Sequence, residues 1–161
     1  MSKKNFLFTF IFGALYIFLM LFFAHKCLET GTQSTQSSNN VAEVIKDVSN
    51  EVFNTDIQMT DSYTTLIRKL VGHFGFFLVL GTTSFLFYMS LKRGLTVKLM
   101  YHYIIGFLFA LVSEFCLEGS TNGRSASFKD VLIDYSGFIA LSSILLIIYF
   151  VVRYKKKAKE N

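Results

Sequence analysis

This sequence predicts an all-α integral membrane protein: a bundle of four transmembrane helices plus a short amphipathic extracytoplasmic helix. Three observations carry that prediction. First, 52% of the 161 residues are hydrophobic and 19 are Phe, with a mean hydropathy of +0.46. Soluble domains reach an apolar share of about 45–50% only when glycine is counted. Second, four apolar runs each reach the roughly 20 residues that cross a hydrocarbon core of about 30 Å. Third, the charges fall into two sets, on opposite sides of those runs.

The first run is Asn5–Ala24. Lys3 and Lys4 precede it like the basic region of a signal peptide. The run is longer than the usual apolar core of about 7–15 residues, and no small-x-small cleavage site follows. Residues 1–25 are therefore expected to form an uncleaved anchor. Residues 26–61 form the only long hydrophilic piece. Within it, Gly31 to Asn40 is rich in Ser, Thr, Gln and Asn and is expected to be flexible linker. From Val41 the pattern changes. Val41, Val44, Ile45, Val48 and Val52 recur at helical spacing among Glu43, Lys46, Asp47 and Glu51. This predicts an amphipathic helix of about three turns, capped by Asn39 or Asn40. Such a helix packs on the spans, lies at the membrane surface or covers a site on that side.

Residues 62–152 hold the remaining spans, near Leu70–Leu91, Leu95–Leu117 and Val131–Val152, with a helix start expected earlier, at Asp61-Ser62. The chain has no Pro and no Trp, so no span carries a proline kink and an interfacial belt must use Tyr. Residues 153–161 are a basic tail. With four spans, Lys3, Lys4, Lys92, Arg93, Lys98, Arg153, Lys155, Lys156, Lys157 and Lys159 share the side of the termini, and every acid except Glu160 lies opposite. Positive residues stay cytoplasmic, which places both termini in the cytosol. The net charge of +5 then reads as an orientation signal, and no nucleic-acid partner is expected. The tail suits anionic lipid head groups.

Three short stretches carry the polar chemistry. Lys69 and His73 are four apart and share a helix face where the second span enters the outer leaflet. Tyr103, Gly106, Ala110 and Ser113-Glu114 share a face of the third span. Gly106-x-x-x-Ala110 admits a close helix neighbour, so Glu114 is expected to point into the bundle. A carboxylate at mid-bilayer costs about 2.5–3.5 kcal/mol, and less near an interface. His102 lies about 18 Å from Glu114 along the helix and belongs to the other end. The third stretch runs from Gly119 to Ser125, a turn by composition, and continues into Lys129-Asp130 and Asp134. Asp130 is placed to cap the fourth span. Asp134, a turn deeper, is not explained that way.

Together these spans are expected to bring Lys69, His73, Glu114, Arg124, Asp130 and Asp134 to one membrane face. Such a set can neutralise itself, with Arg124 forking a carboxylate, or hold a phosphate, an amine or a carboxylate. No linear spacing matches a metal motif, a phosphate loop or a nucleophile elbow, so no metal and no cofactor are expected. Cys27 and Cys116 fall near the same membrane face, and two cysteines alone do not fix a pairing.

Arg68-Lys69 with Gly72-His73-Phe74 and Leu80-Gly81 resembles the first signature of the VanZ-like membrane proteins. Ser113-Glu114-Phe115, Gly123-Arg124-Ser125 and the run from Phe128 to Phe138 resemble the second. The family pattern has Gln where this chain has Leu117, and Pro where it has Asn122. The resemblance implies a small bacterial cytoplasmic-membrane protein with a role in the cell envelope or in glycopeptide (teicoplanin) resistance. Its outward polar site would take a lipid-linked peptidoglycan precursor, a lipid head group or a glycopeptide. The alternative is a membrane enzyme acting on a lipid-linked wall substrate. His73 would then be the general acid or base, tuned by Glu114 or Asp134.

Overall fold

The computed structural model describes residues 3–160, and among them every regular element is helical. Met1, Ser2 and Asn161, within the expected anchor and tail, lie outside the described residues. So do the side chains of Lys3, Lys4, Lys157 and Glu160. Five helices follow in order: α1 (Lys3–Cys27), α2 (Gly31–Phe53), α3 (Asp61–Ser90), α4 (Leu95–Ser120) and α5 (Phe128–Glu160). α1, α3, α4 and α5 are each long and apolar enough to cross a membrane. The protein is an all-helical membrane protein.

α3 is the centre of the bundle, touching α1, α4 and α5. It runs antiparallel to α1, with Gly13 beside Phe87 and Phe23 stacked on Phe76. It runs antiparallel to α4, with Ser84 beside His102 and Phe77 near Phe109. Against α5 it is parallel, Lys69 meeting Asp130 and Gly81 meeting Phe138. That last seam is closed by glycine. A Cβ on Gly81 would collide with the Phe138 carbonyl, and one on Gly137 with the Phe74 carbonyl. Backbone thus lies on backbone at both positions, the close approach that small residues permit between membrane helices. Gly106 of α4 faces the Phe138 ring and Ala110 is fully buried. The core is filled by Tyr16, Phe23, Phe77, Leu80, Tyr88, Val131 and Phe138. Phe6, Phe10, Ile17, Phe18, Leu21, Ile147 and Val152 are exposed, the surface a bilayer would cover.

The expected linker is not one. Gly31 to Asn40 forms the first half of α2, and the cap is Thr30 rather than Asn39 or Asn40. The Thr30 hydroxyl accepts from Gln33 N and the Gln33 side chain accepts from Thr30 N, a reciprocal capping box. Polar composition hid a start signal that lies one residue upstream of the polar run. The Gly31 N–H donates to Asn122 O at 3.0 Å, which fastens the start of α2 to the α4–α5 loop. Its would-be Cβ points at the Gly123 backbone, and Gly123 itself adopts φ +78°, a conformation glycine takes without penalty. α2 buries Ala42 and leaves Val41, Val44, Val48, Val52 and Phe53 exposed. α2 thus touches the first turns of α3 and lends Val41 to a shared cavity wall, while most of its apolar stripe stays uncovered. It ends at Asn54 in the left-handed conformation, with the Asn50 side chain bonded to both backbone groups of Ile57. α3 then starts at Asp61, capped by Thr60, where the sequence placed a helix start.

Candidate functional site

Two of the membrane helices depart from α-geometry, and both do so at the polar cluster. α3 is π-helical over Arg68–Gly75 and α4 over Ser113–Leu117. π turns are rare and recur at functional sites. The first contains Gly72 and Gly75, and each glycine weakens the regular helix by about 1 kcal/mol relative to Ala. The wide turns carry Arg68, Lys69 and His73 on one helix and Glu114 on the other.

The structure brings His73, Glu114 and Asp134 together. All three are buried, at 5%, 1% and 0% exposure. His73 Nδ1 lies 3.0 Å from Asp134 Oδ1. One ligand-type atom from each residue falls within 4.8 Å of the others. The glycine seam explains the first contact: Gly137 pressed on Phe74 brings one turn of α5 against the π segment of α3. Glu114 faces inward, as its helix face predicted, and does something further. Its Oε1 accepts the Ser127 backbone N–H at 2.7 Å, just before α5 begins. An anionic acceptor is favoured at a helix N-terminus. The capping role expected of Asp130 thus belongs to Glu114, whereas Asp130 Oδ1 makes an ion-pair contact with Lys69 Nζ at 2.8 Å. Asp134 Oδ2 is buried without a hydrogen-bond partner among the described residues.

Arg124 sits apart from that trio. Its guanidinium pairs with Glu118 and donates to Lys26 O and Cys27 O at 3.4 Å each, adding to the bonds that cap the end of α1. Glu118 was not singled out in the sequence. Its clue was a carboxylate four residues after Glu114, past the end of the apolar run. Cys27 is buried, Cys116 is exposed, and both are free thiols. His102 belongs to the other end, as expected. It is fully buried, 3.0 Å from the Ser84 hydroxyl, and stacked on Phe138 at 4.7 Å.

A cavity of about 230 Å³ opens beside the trio. α1, α2 and α3 form most of its wall, with Glu118 and Arg124 completing it. Phe22, Phe23, Val41, Ile67, Val71 and Phe76 make the apolar lining, and α2 adds Ser34, Ser37 and Ser38. His73 is the member of the trio that reaches this cavity. Four cationic side chains line it or flank it. Lys26 is paired to Glu29 at 2.5 Å, Lys69 to Asp130, and Arg124 to Glu118. Arg68, on the lining, has no ion-pair partner among the described residues, and its Nε is buried without a hydrogen-bond partner. In the sequence Arg68 stands out only as the neighbour of Lys69 in the Arg68-Lys69 pair. Its difference from Lys69 appears only once the pairs are formed.

No family model, no curated protein and no solved structure matches this chain. Fold and site together define a multi-span helical membrane protein with a polar cluster and an amphipathic cavity at one end of its bundle.

Proposed function

We propose that this chain is a VanZ-like protein of the bacterial cytoplasmic membrane, with both termini in the cytosol. Its outward cavity binds the phosphate-bearing head group of a lipid, such as a lipid-linked wall precursor. Binding alters envelope processes, glycopeptide (teicoplanin) susceptibility among them. The observation that carries the reading is Arg68: a cation with no ion-pair partner among the described residues, on the wall of a cavity whose apolar lining is Phe, Val and Ile. Arg68 is half-buried with its Nε shut off from water, and a polar group in that state is retained at a cost unless something pairs it. A guanidinium recognises phosphate by paired hydrogen bonds, and the apolar walls suit an acyl or polyprenyl chain. Size supports the same choice. Pockets for drug-sized ligands run to about 300–1,000 Å³, so 230 Å³ suits a head group and not a whole glycopeptide. The two stretches that resemble the VanZ-like signatures supply Arg68, His73, Glu114, Arg124 and Asp134 to this one region.

The test is equilibrium binding of a fluorescent polyprenyl phosphate to purified protein in detergent. Saturable binding, at least about tenfold weaker in Arg68→Gln and unchanged in Lys92→Gln at the other end, is expected. Equal binding by all three proteins would refute the site. In cells, overexpression should shift teicoplanin susceptibility, and Arg68→Gln should abolish that shift at equal expression. A second reading, a membrane enzyme acting on the same lipid, is favoured by one observation. His73 faces the cavity while Asp134 holds its Nδ1, the arrangement of an oriented acid–base imidazole. Turnover of labelled envelope lipid that is lost in His73→Gln would select it.

A further inference from the structure

We propose that His73, Glu114 and Asp134 form a binding site for one divalent transition-metal ion of the Zn²⁺ type. This inference does not rest on the lipid reading. Each ligand comes from a different helix, so no linear spacing announces the set, and the expectation of no metal followed from linear spacing alone. Three observations point to the ion. The geometry is first. Three candidate ligand atoms lie within 4.8 Å of one another, so a centre lies about 2.8 Å from each, against about 2.0–2.2 Å in a formed N/O site. Rotamer adjustments of about 0.6–0.8 Å close that gap.

Charge is the second. Glu114 and Asp134 are two carboxylates at 1% and 0% exposure. Lys69 and Arg124 are committed elsewhere, to Asp130 and Glu118, and Arg68 forms no ion pair with either carboxylate. His73 can offset one negative charge at most, whereas a divalent ion offsets both. Buried charges that are neither paired nor metal-bound are strongly disfavoured. The third is Asp134 Oδ2, buried and lacking any hydrogen-bond partner among the described residues. A carboxylate oxygen in that state is an acceptor waiting for a ligand. Imidazole with carboxylate favours Zn²⁺ or a neighbouring first-row ion over Ca²⁺ or Mg²⁺, which prefer all-oxygen sets. Three protein ligands leave a fourth position open.

The experiment is calorimetric titration of Zn²⁺ into chelator-treated, full-length protein in detergent, with Co²⁺ absorption as the spectroscopic reporter. One ion per chain is expected, with an absorption band of tetrahedral Co²⁺. Affinity should fall at least about tenfold in Asp134→Asn and in Glu114→Gln, two variants close in shape to the native residues. His25→Ala, which removes an exposed imidazole at the end of α1, should bind as wild type. Absence of saturable binding, equal affinity in Asp134→Asn and wild type, or loss in His25→Ala would each overturn the proposal. Lipid binding measured on the same samples separates the two readings. Lipid without metal removes only this one, and metal without lipid removes only the other.

Discussion

Adding one methyl group at Gly81 tests how the site is held together. A Cβ there would overlap the Phe138 carbonyl oxygen and lie 2.7 Å from the Phe138 carbonyl carbon and 2.8 Å from its Cα. Carbon atoms in good contact sit about 3.5–4.0 Å apart, so α3 and α5 must separate by about 1 Å. A gap of that order forfeits about a quarter to a half of each dispersion contact along the seam. Overpacking of this kind costs about 1–3 kcal/mol. The same displacement stretches the 3.0 Å contact of His73 with Asp134 to about 4 Å, beyond hydrogen-bond range. Gly81→Ala should therefore lower stability and loosen the polar cluster together. Gly94→Ala is the control, because a Cβ there meets nothing within 4 Å. The assay is reversible unfolding in mixed detergent micelles, followed by circular dichroism. Wild-type stability in Gly81→Ala, or an equal loss in Gly94→Ala, would refute the backbone-on-backbone seam.

Three further outcomes are expected. Thr30→Ala removes the capping box of α2 at a cost of about 1 kcal/mol; hydrogen exchange should quicken in α2 and stay unchanged in the spans, and unchanged exchange in α2 would contradict the cap. Ser84→Ala deprives the buried His102 ring of its one bonded nitrogen, since Nε2 already lacks a partner; a loss of about 1–3 kcal/mol in unfolding free energy is expected, and an unchanged value would contradict the contact. A membrane-impermeant maleimide should label Ser125→Cys in intact cells and spare Lys156→Cys, in a background without Cys27 and Cys116. The reverse pattern would overturn the orientation.

Much of the frame was legible because it rests on length and periodicity. Four apolar runs gave four helices, and steps of three and four turned Glu114 inward. The side of the bundle that collects His73, Glu114 and Asp134 followed from counting crossings. What stayed hidden depends on partners. Gly31 to Asn40 looked like linker because Ser, Thr, Gln and Asn carry no apolar period, yet a cap at Thr30 and a fastening to Asn122 hold it helical. Asp130 looked like the cap of α5, but Lys69 holds it and Glu114 reaches the helix start from another span. Spacing put Lys69 on the face of His73 but said nothing of which basic residue would be paired. Only the pairing of Lys69 with Asp130 leaves Arg68 as the uncommitted cation. The π segments leave no trace in hydropathy, since they change the turn and not the composition.

A double-mutant cycle on His73 and Asp134 probes the convergence of α3 and α5 most directly. His73→Gln, Asp134→Asn and the double variant are unfolded side by side with wild type. Groups in contact couple by about 0.5–3 kcal/mol, whereas independent positions add within about 0.3–0.5 kcal/mol. The structure, with these side chains 3.0 Å apart, predicts a coupling of about 1 kcal/mol or more. Strict additivity of the two substitutions would contradict it.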